Sequence, residues 1–186
     1  MDNNTVILIG PMCAGKSTIA NELSVSTGIP RVPMDRVRWY YYLKDGYDFV
    51  KEQNIESFSE KIIYWKPFEV KAVKRIVEEF KNSIIDFGAG HSFYSDETHF
   101  QEVSEALKTF ANVILLLPCE DKEESLRICC DRLKKRCKRE LEASEIEANR
   151  DFIFHESNYK LAKHVVYTEG KSVEESVKEI ESYMKL

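Results

Sequence analysis

The feature that most constrains this chain lies near its start, where a short apolar run, Thr5-Val-Ile-Leu-Ile9, leads directly into Gly10-Pro-Met-Cys-Ala-Gly15-Lys16-Ser17-Thr18. The spacing is G-x-x-x-x-G-K-[ST]. Its glycines let the backbone curl so that successive N–H groups point inward, and a helix starting beyond Gly15 brings its positive end to the same place. Such a nest binds an anion. Lys16 then reaches the outer phosphates of a nucleoside triphosphate and Ser17 offers a hydroxyl to Mg²⁺, so Gly10, Cys13, Ala14, Gly15, Lys16, Ser17 and Thr18 are the expected nucleotide-binding residues. A glycine turn with a solvated lysine is the bland alternative, and a strand before the loop with a helix after it argues against that reading.

Further short apolar runs read as buried parallel strands at Ser83–Phe87, Asn112–Leu117 and His164–Thr168, with a weaker one at Pro30–Met34. Helical periodicity separates them: Val73, Ile76, Val77 and Phe80 share a face, as do Val173, Val177, Ile180 and Met184, with Ser172 placed to cap the last helix. Strand alternating with helix predicts an α/β fold on a parallel sheet. With 186 residues, no repeat and no Pro/Gly/Ser-rich linker, residues 1–186 are expected to form one domain. The formal charge of −5 argues against a protein that coats nucleic acid. The amino terminus lacks a basic, apolar leader, and the longest apolar stretch, Val113–Leu117, is far too short to span a membrane. Five cysteines without a C-x-x-C pair suit reduced thiols, so a soluble cytoplasmic protein is expected.

Phosphate loops serve switches, motors and small kinases alike, so the rest of the chain must decide between them. The Asn/Thr-Lys-x-Asp motif of a GTPase is absent, and Ile84-Ile85-Asp86-Phe87 lacks the Asp-Glu strand end of a motor ATPase. A kinase needs an acceptor site and a lid. Asp35, with Arg36 and Arg38, follows the second strand, where a carboxylate can orient an acceptor hydroxyl and an arginine can pair with an anionic group. Gly88, Ala89 and Gly90 close the third strand, where backbone can approach a ligand closely. Asp86 either holds a magnesium-bound water or merely ends that strand. Arg127 to Arg139 carries seven basic residues against Asp131, and guanidinium groups on a mobile segment are what phosphoryl transfer uses to neutralise charge and exclude water. A lid at approximately 121–142 follows; the alternative is a solvated helix paired with Glu140, Glu142, Glu145 and Glu147.

The loop, Asp35, the Gly88-Ala89-Gly90 turn, the arginine-rich segment and the ending Tyr159 to Glu175 together resemble the shikimate-kinase-like group of P-loop kinases over nearly the whole chain. That resemblance implies a three-layer αβα P-loop fold with a five-stranded parallel sheet in 2-3-1-4-5 order, a helical lid, and MgATP-dependent phosphorylation of a small molecule's hydroxyl. It implies that Asp35 contacts the acceptor hydroxyl, Gly88 to Gly90 line the acceptor site, Arg132 flanks the adenine, and Arg136 or Arg139 is the lid arginine. The sequence also departs from the pattern. Pro33 stands where a first acidic residue is usual, with Asp86 as a substitute. The acceptor-carboxylate arginine is matched by Lys66, which lacks a bidentate fork, and a second substrate arginine has Arg150 as its nearest counterpart. The aromatic stretches Trp39 to Tyr42 and Tyr64-Trp65 could wall a flatter substrate, although core packing is the commoner use of such rings.

The expected function is ATP-dependent transfer of a phosphoryl group to a hydroxyl of a small metabolite. Alternatives are a nucleoside or nucleotide kinase, an ATP-binding regulatory protein that has lost efficient transfer, and a nucleic-acid end kinase using Arg127 to Arg139 as a strand track. The acidic remainder of the chain disfavours the last, so no nucleic-acid partner is expected.

Overall fold

The computed structural model describes residues 2–184, in which strands and helices alternate. They run β1 (Asp2–Ile9), α1 (Lys16–Thr27), β2 (Arg31–Pro33), α2 (Met34–Lys44), α3 (Phe49–Gln53), α4 (Phe58–Glu79) and β3 (Ile84–Asp86). After a short 3-10 turn at Ala89–Ser92 come α5 (Glu97–Leu107), β4 (Phe110–Leu117), α6 (Lys122–Cys137), α7 (Ala143–Phe154), α8 (Glu156–Leu161), β5 (His164–Tyr167) and α9 (Val173–Tyr183). The strands form one parallel sheet in the order β2-β3-β1-β4-β5. β1 is the middle strand, so the loop that leaves its carboxyl end emerges at the centre of that edge, where such sheets bind ligands.

Period-two alternation sorts the strand residues between two cores. Ile7, Ile9, Ile85, Leu115 and Leu117 face the layer of α2, α4 and α5. Val6, Leu8, Ile84, Ile114 and Leu116 face α1 and α9. Both faces are covered, which is why these strands read as near-continuous apolar runs. β2 lies at the sheet edge and ends in Pro33, a position that tolerates a missing N–H.

α4 is longer than the periodicity around Val73 reveals: it starts at Phe58 and carries Pro67 in its interior. The carbonyl that Pro67 leaves unbonded belongs to Ile63, an exposed residue, so water can replace the lost partner. Ser172 caps α9 as expected, accepting from the Glu175 N–H while Glu175 accepts from the Ser172 N–H. The aromatic stretches pack against one another rather than forming a bare wall. Trp39 meets Tyr42 edge-on at 5.5 Å, Tyr47 meets Phe68 at 5.1 Å, and Trp65 Nε1 donates to Tyr47 Oη at 2.9 Å. No described helix is long and apolar enough to cross a membrane.

Candidate active site

Gly10 leaves β1 at φ 134°, and a side chain there would collide with the Leu116 carbonyl of β4. Gly15 at φ 100° turns the chain into α1. Between them Cys13 adopts φ 62°, a left-handed conformation uncommon for a residue with a side chain, held by the closed loop around it. Lys16, at 8% exposure, folds its ammonium back to donate to the carbonyls of Gly10 and Pro11, both at 2.8 Å. Burial pushes its pKa down, and Asp35 is the leading charge opposing that shift. The loop is also braced from outside: Oδ1 of Asn149, a fully buried residue of α7, accepts from the Met12 N–H at 2.9 Å.

Beside the loop, Ser17 Oγ donates to Asp86 Oδ2 at 2.8 Å. Asp86 is 5% exposed and accepts two further bonds from one guanidinium, Arg31 Nε to Oδ1 at 2.9 Å and a terminal nitrogen to Oδ2 at 2.7 Å. In the sheet register Asp86 sits opposite Pro33, so this carboxylate stands one strand away from the position where the resemblance expects one. A hydroxyl and a carboxylate are hard oxygen donors that suit Mg²⁺. Among the described residues no group of three or more His, Cys, Asp or Glu side chains could hold a metal ion.

A cavity of about 590 Å³ joins this loop to a second end of the carboxyl edge. Met12 to Thr18, Arg132, Arg136 and the Thr168–Ser176 region line one end. Asp35, Arg38, Trp65, Glu69, Gly88 to His91 and Phe152 line the other. Asp35 stands in the first turn of α2 with Oδ1 3.7 Å from Arg38. A Cβ at Gly88 would collide with that carboxylate, and one at Gly90 with Glu69 Oε1, so both glycines are set by close approach rather than by φ. His91 is fully buried; burial pushes its pKa down, Glu69 being the strongest charge acting the other way, and its Nε2 meets Tyr42 Oη at 3.2 Å.

Five expected site residues do not line the cavity: Gly10, Asp86, Lys66, Arg139 and Arg150. Lys66 Nζ donates to Glu69 Oε2 and to the Gly90 carbonyl, each at 2.7 Å. Arg139 is bound by both terminal nitrogens to Glu145 at 2.8 Å, and Arg150 likewise to Glu123, at 2.8 and 3.0 Å. In each case a nearby carboxylate captures the cation before any ligand does. Within the basic segment Arg127 pairs with Glu124 and Asp131, and Lys134 with Glu140. Arg132 and Arg136 are the cations of α6 that line the cavity, and Arg132 also bonds Glu169 at 2.9 Å, tying α6 to the turn after β5.

Arg31, Glu69, His91 and Asn149 went unrecognised from sequence. The i,i+3 spacing of Lys66 and Glu69 on a helix was a signal for one of them. The others carried none, because their partners are remote in the chain.

The family model described as shikimate kinase matches residues 12–185. No curated protein matches the chain. Among solved structures it is similar to a shikimate kinase from Acinetobacter baumannii in complex with shikimate, at 17% identity and TM-score 0.67, covering 96% of this chain and 90% of that one. A shikimate kinase from Bacteroides thetaiotaomicron gives 19% and 0.65 with 98% of each chain covered. A gluconokinase from Sinorhizobium meliloti 1021 gives 12% and 0.59, with 99% and 93% covered. These identities speak for the shared fold; the family match over nearly the full length places the chain in the shikimate kinase family, among ATP-dependent kinases of small molecules.

Proposed function

We propose that the protein transfers the γ-phosphoryl group of MgATP to a hydroxyl of a small molecule bound at the Asp35 end of the cavity. The observation that carries this reading is the shared cavity itself, with the phosphate loop and Lys16 at one end and Asp35 beside Gly88 at the other. In-line transfer needs a fixed cation at the transferring group and an oriented acceptor, with little other chemistry for the protein to do. Lys16 already donates to two carbonyls, and phosphate oxygens would take their place as its acceptors. Asp35 accepts a hydrogen bond from the acceptor hydroxyl and aligns its oxygen on the phosphorus. Ser17 and Asp86 would hold the Mg²⁺, which would supply neutralisation of phosphate charge. Asp86 thus does from β3 what a carboxylate at position 33 would do from β2, and this weighs against a protein that retains the loop without transfer.

In this reading residues 1–186 act as one catalytic domain, and roughly 121–142 form its lid. Arg132 flanks the base, Arg136 reaches the phosphates, and Arg139 joins them when closure draws it from Glu145. Five unpaired cysteines suit the reducing cytoplasm.

The test is ADP release from ATP and Mg²⁺ across a panel of hydroxylated acceptors, with Lys16→Ala as control. Acceptor-stimulated turnover is expected, with Lys16→Ala lowering it by two or more orders of magnitude at roughly unchanged melting temperature. Near-normal turnover in Lys16→Ala would refute the assignment.

A further inference from the structure

Resting on that reading for where the acceptor sits, we infer that the acceptor is a hydroxylated ring compound without a carboxylate, one that brings an N–H or O–H donor to Glu69 and an oxygen to Arg38. The argument starts from the charges at the Asp35 end. Three charged side chains line it: Asp35, Glu69 and Arg38. Glu69 has a side chain only 3% exposed, yet it reaches the cavity because Gly90 lacks a Cβ. Its Oε2 accepts from Lys66, whereas its Oε1 accepts no hydrogen bond from the described residues. That oxygen is free to accept a hydrogen bond from a ligand donor at that point.

Lys66 does not change the sign of this end. Its ammonium lies behind Glu69, held between Glu69 Oε2 and the Gly90 carbonyl and 5.0 Å from the Tyr94 ring centroid. It neutralises Glu69 from the protein side and offers nothing to the ligand. Arg38 lies 4.4 Å over the Trp39 ring and 5.6 Å from that of Trp65, with Asp35 matching its charge at 3.7 Å. Its Nε is buried and unpaired, a donor waiting for an oxygen. His91 is held neutral by burial, so it adds no positive charge.

A carboxylate entering here would meet the oxygens of Asp35 and Glu69, the latter with its counter-ion on the far side, and a guanidinium already matched by Asp35. A neutral ring bearing both a donor and an oxygen satisfies Glu69 Oε1 and Arg38 Nε together, while Trp65 and Phe152 cover its faces. The same end therefore selects against hydroxy acids and for their uncharged counterparts.

The experiment compares shikimate with its primary carboxamide, which differs in charge at one group, and adds uridine as an unrelated neutral ring. Binding is read by quenching of Trp39 and Trp65 fluorescence with a non-hydrolysable ATP analogue present, and ADP release is read separately. The carboxamide is expected to bind at least about tenfold more tightly than the acid. Glu69→Gln, which removes one charge and frees the Lys66 ammonium, is expected to improve acid binding by about tenfold. Equal or tighter binding of the acid by the wild type overturns the proposal, as does weaker acid binding in Glu69→Gln or failure of both carboxamide and uridine to bind at millimolar concentration. Amide-selective binding without any stimulated ADP release would leave this inference standing and remove the transfer reading; stimulation by the acid with no amide preference would do the reverse.

Discussion

Asp35 and Gly88 show how two residues 53 positions apart define one another. The carboxylate occupies space that any side chain at position 88 would need, so the glycine permits Asp35 to stand over the cavity. Asp35 is exposed toward the cavity and carries a single loose ion pair, which leaves its oxygens available to a hydroxyl. Asp35→Asn keeps the shape but weakens the acceptor strength of that group. We expect kcat to fall at least a hundredfold while the ATP dissociation constant changes less than about threefold, measured by steady-state kinetics and nucleotide titration. An equal loss in both would assign Asp35 to the nucleotide instead. Asp86 contrasts with it: three hydrogen bonds from Ser17 and Arg31 fix it fully, as suits a group that holds rather than moves.

At the scale of elements, α7 acts at a distance on the loop after β1. Asn149 reaches the Met12 N–H from 137 residues later, and its own helix is anchored by Ala148, Phe152 and Ile153 in the core. α7 follows directly after residues 121–142 and begins with a capping box whose Glu145 also holds Arg139. In the proposed reading, a closure that moved Arg139 would therefore act on the element that braces the phosphate loop. Asn149→Ala leaves the Met12 N–H without its acceptor, at a cost of roughly 1–3 kcal/mol. We expect a lower melting temperature together with a KM for ATP raised about tenfold. Unchanged ATP kinetics at a lowered melting temperature would show that the loop keeps its shape without α7.

For the whole molecule, the parallel sheet places the segments that follow β1, β2, β3 and β5 at one edge, and the cavity lies among them. Beneath it lies buried His91, whose pKa burial holds below its ordinary value of 6.5. The unfolded chain therefore takes up a proton that the folded chain refuses. Stability contributed by this group is complete above pH 6.5 and is lost as pH falls from there toward the depressed folded value, at up to about 1.4 kcal/mol per pH unit. Urea midpoints between about pH 5 and 8 should show this slope in the wild type and a flatter one in His91→Gln. Identical slopes would mean that other groups govern the acid limb.

What local chemistry can express was legible in the order of the residues. Gly10 to Thr18 is contiguous, so its anion nest was legible, and near-continuous apolar runs marked the strands because both faces of a parallel sheet are covered. β2 was faint because an edge strand of three residues ending in proline carries little pattern, and the first half of α4 was hidden by Pro67 and its mixed aromatic face. Which charges stay available depended on how the elements pack. Lys66, Arg139 and Arg150 are held by carboxylates away from the cavity, whereas Arg132, although it pairs with Glu169, and Arg136 line it. Arg31 finds Asp86 across 55 residues and Asn149 finds Met12 across 137, and no periodicity encodes such pairings. They depend on strand register and helix docking, where apolar burial sets the geometry and the polar groups take the partners it leaves them.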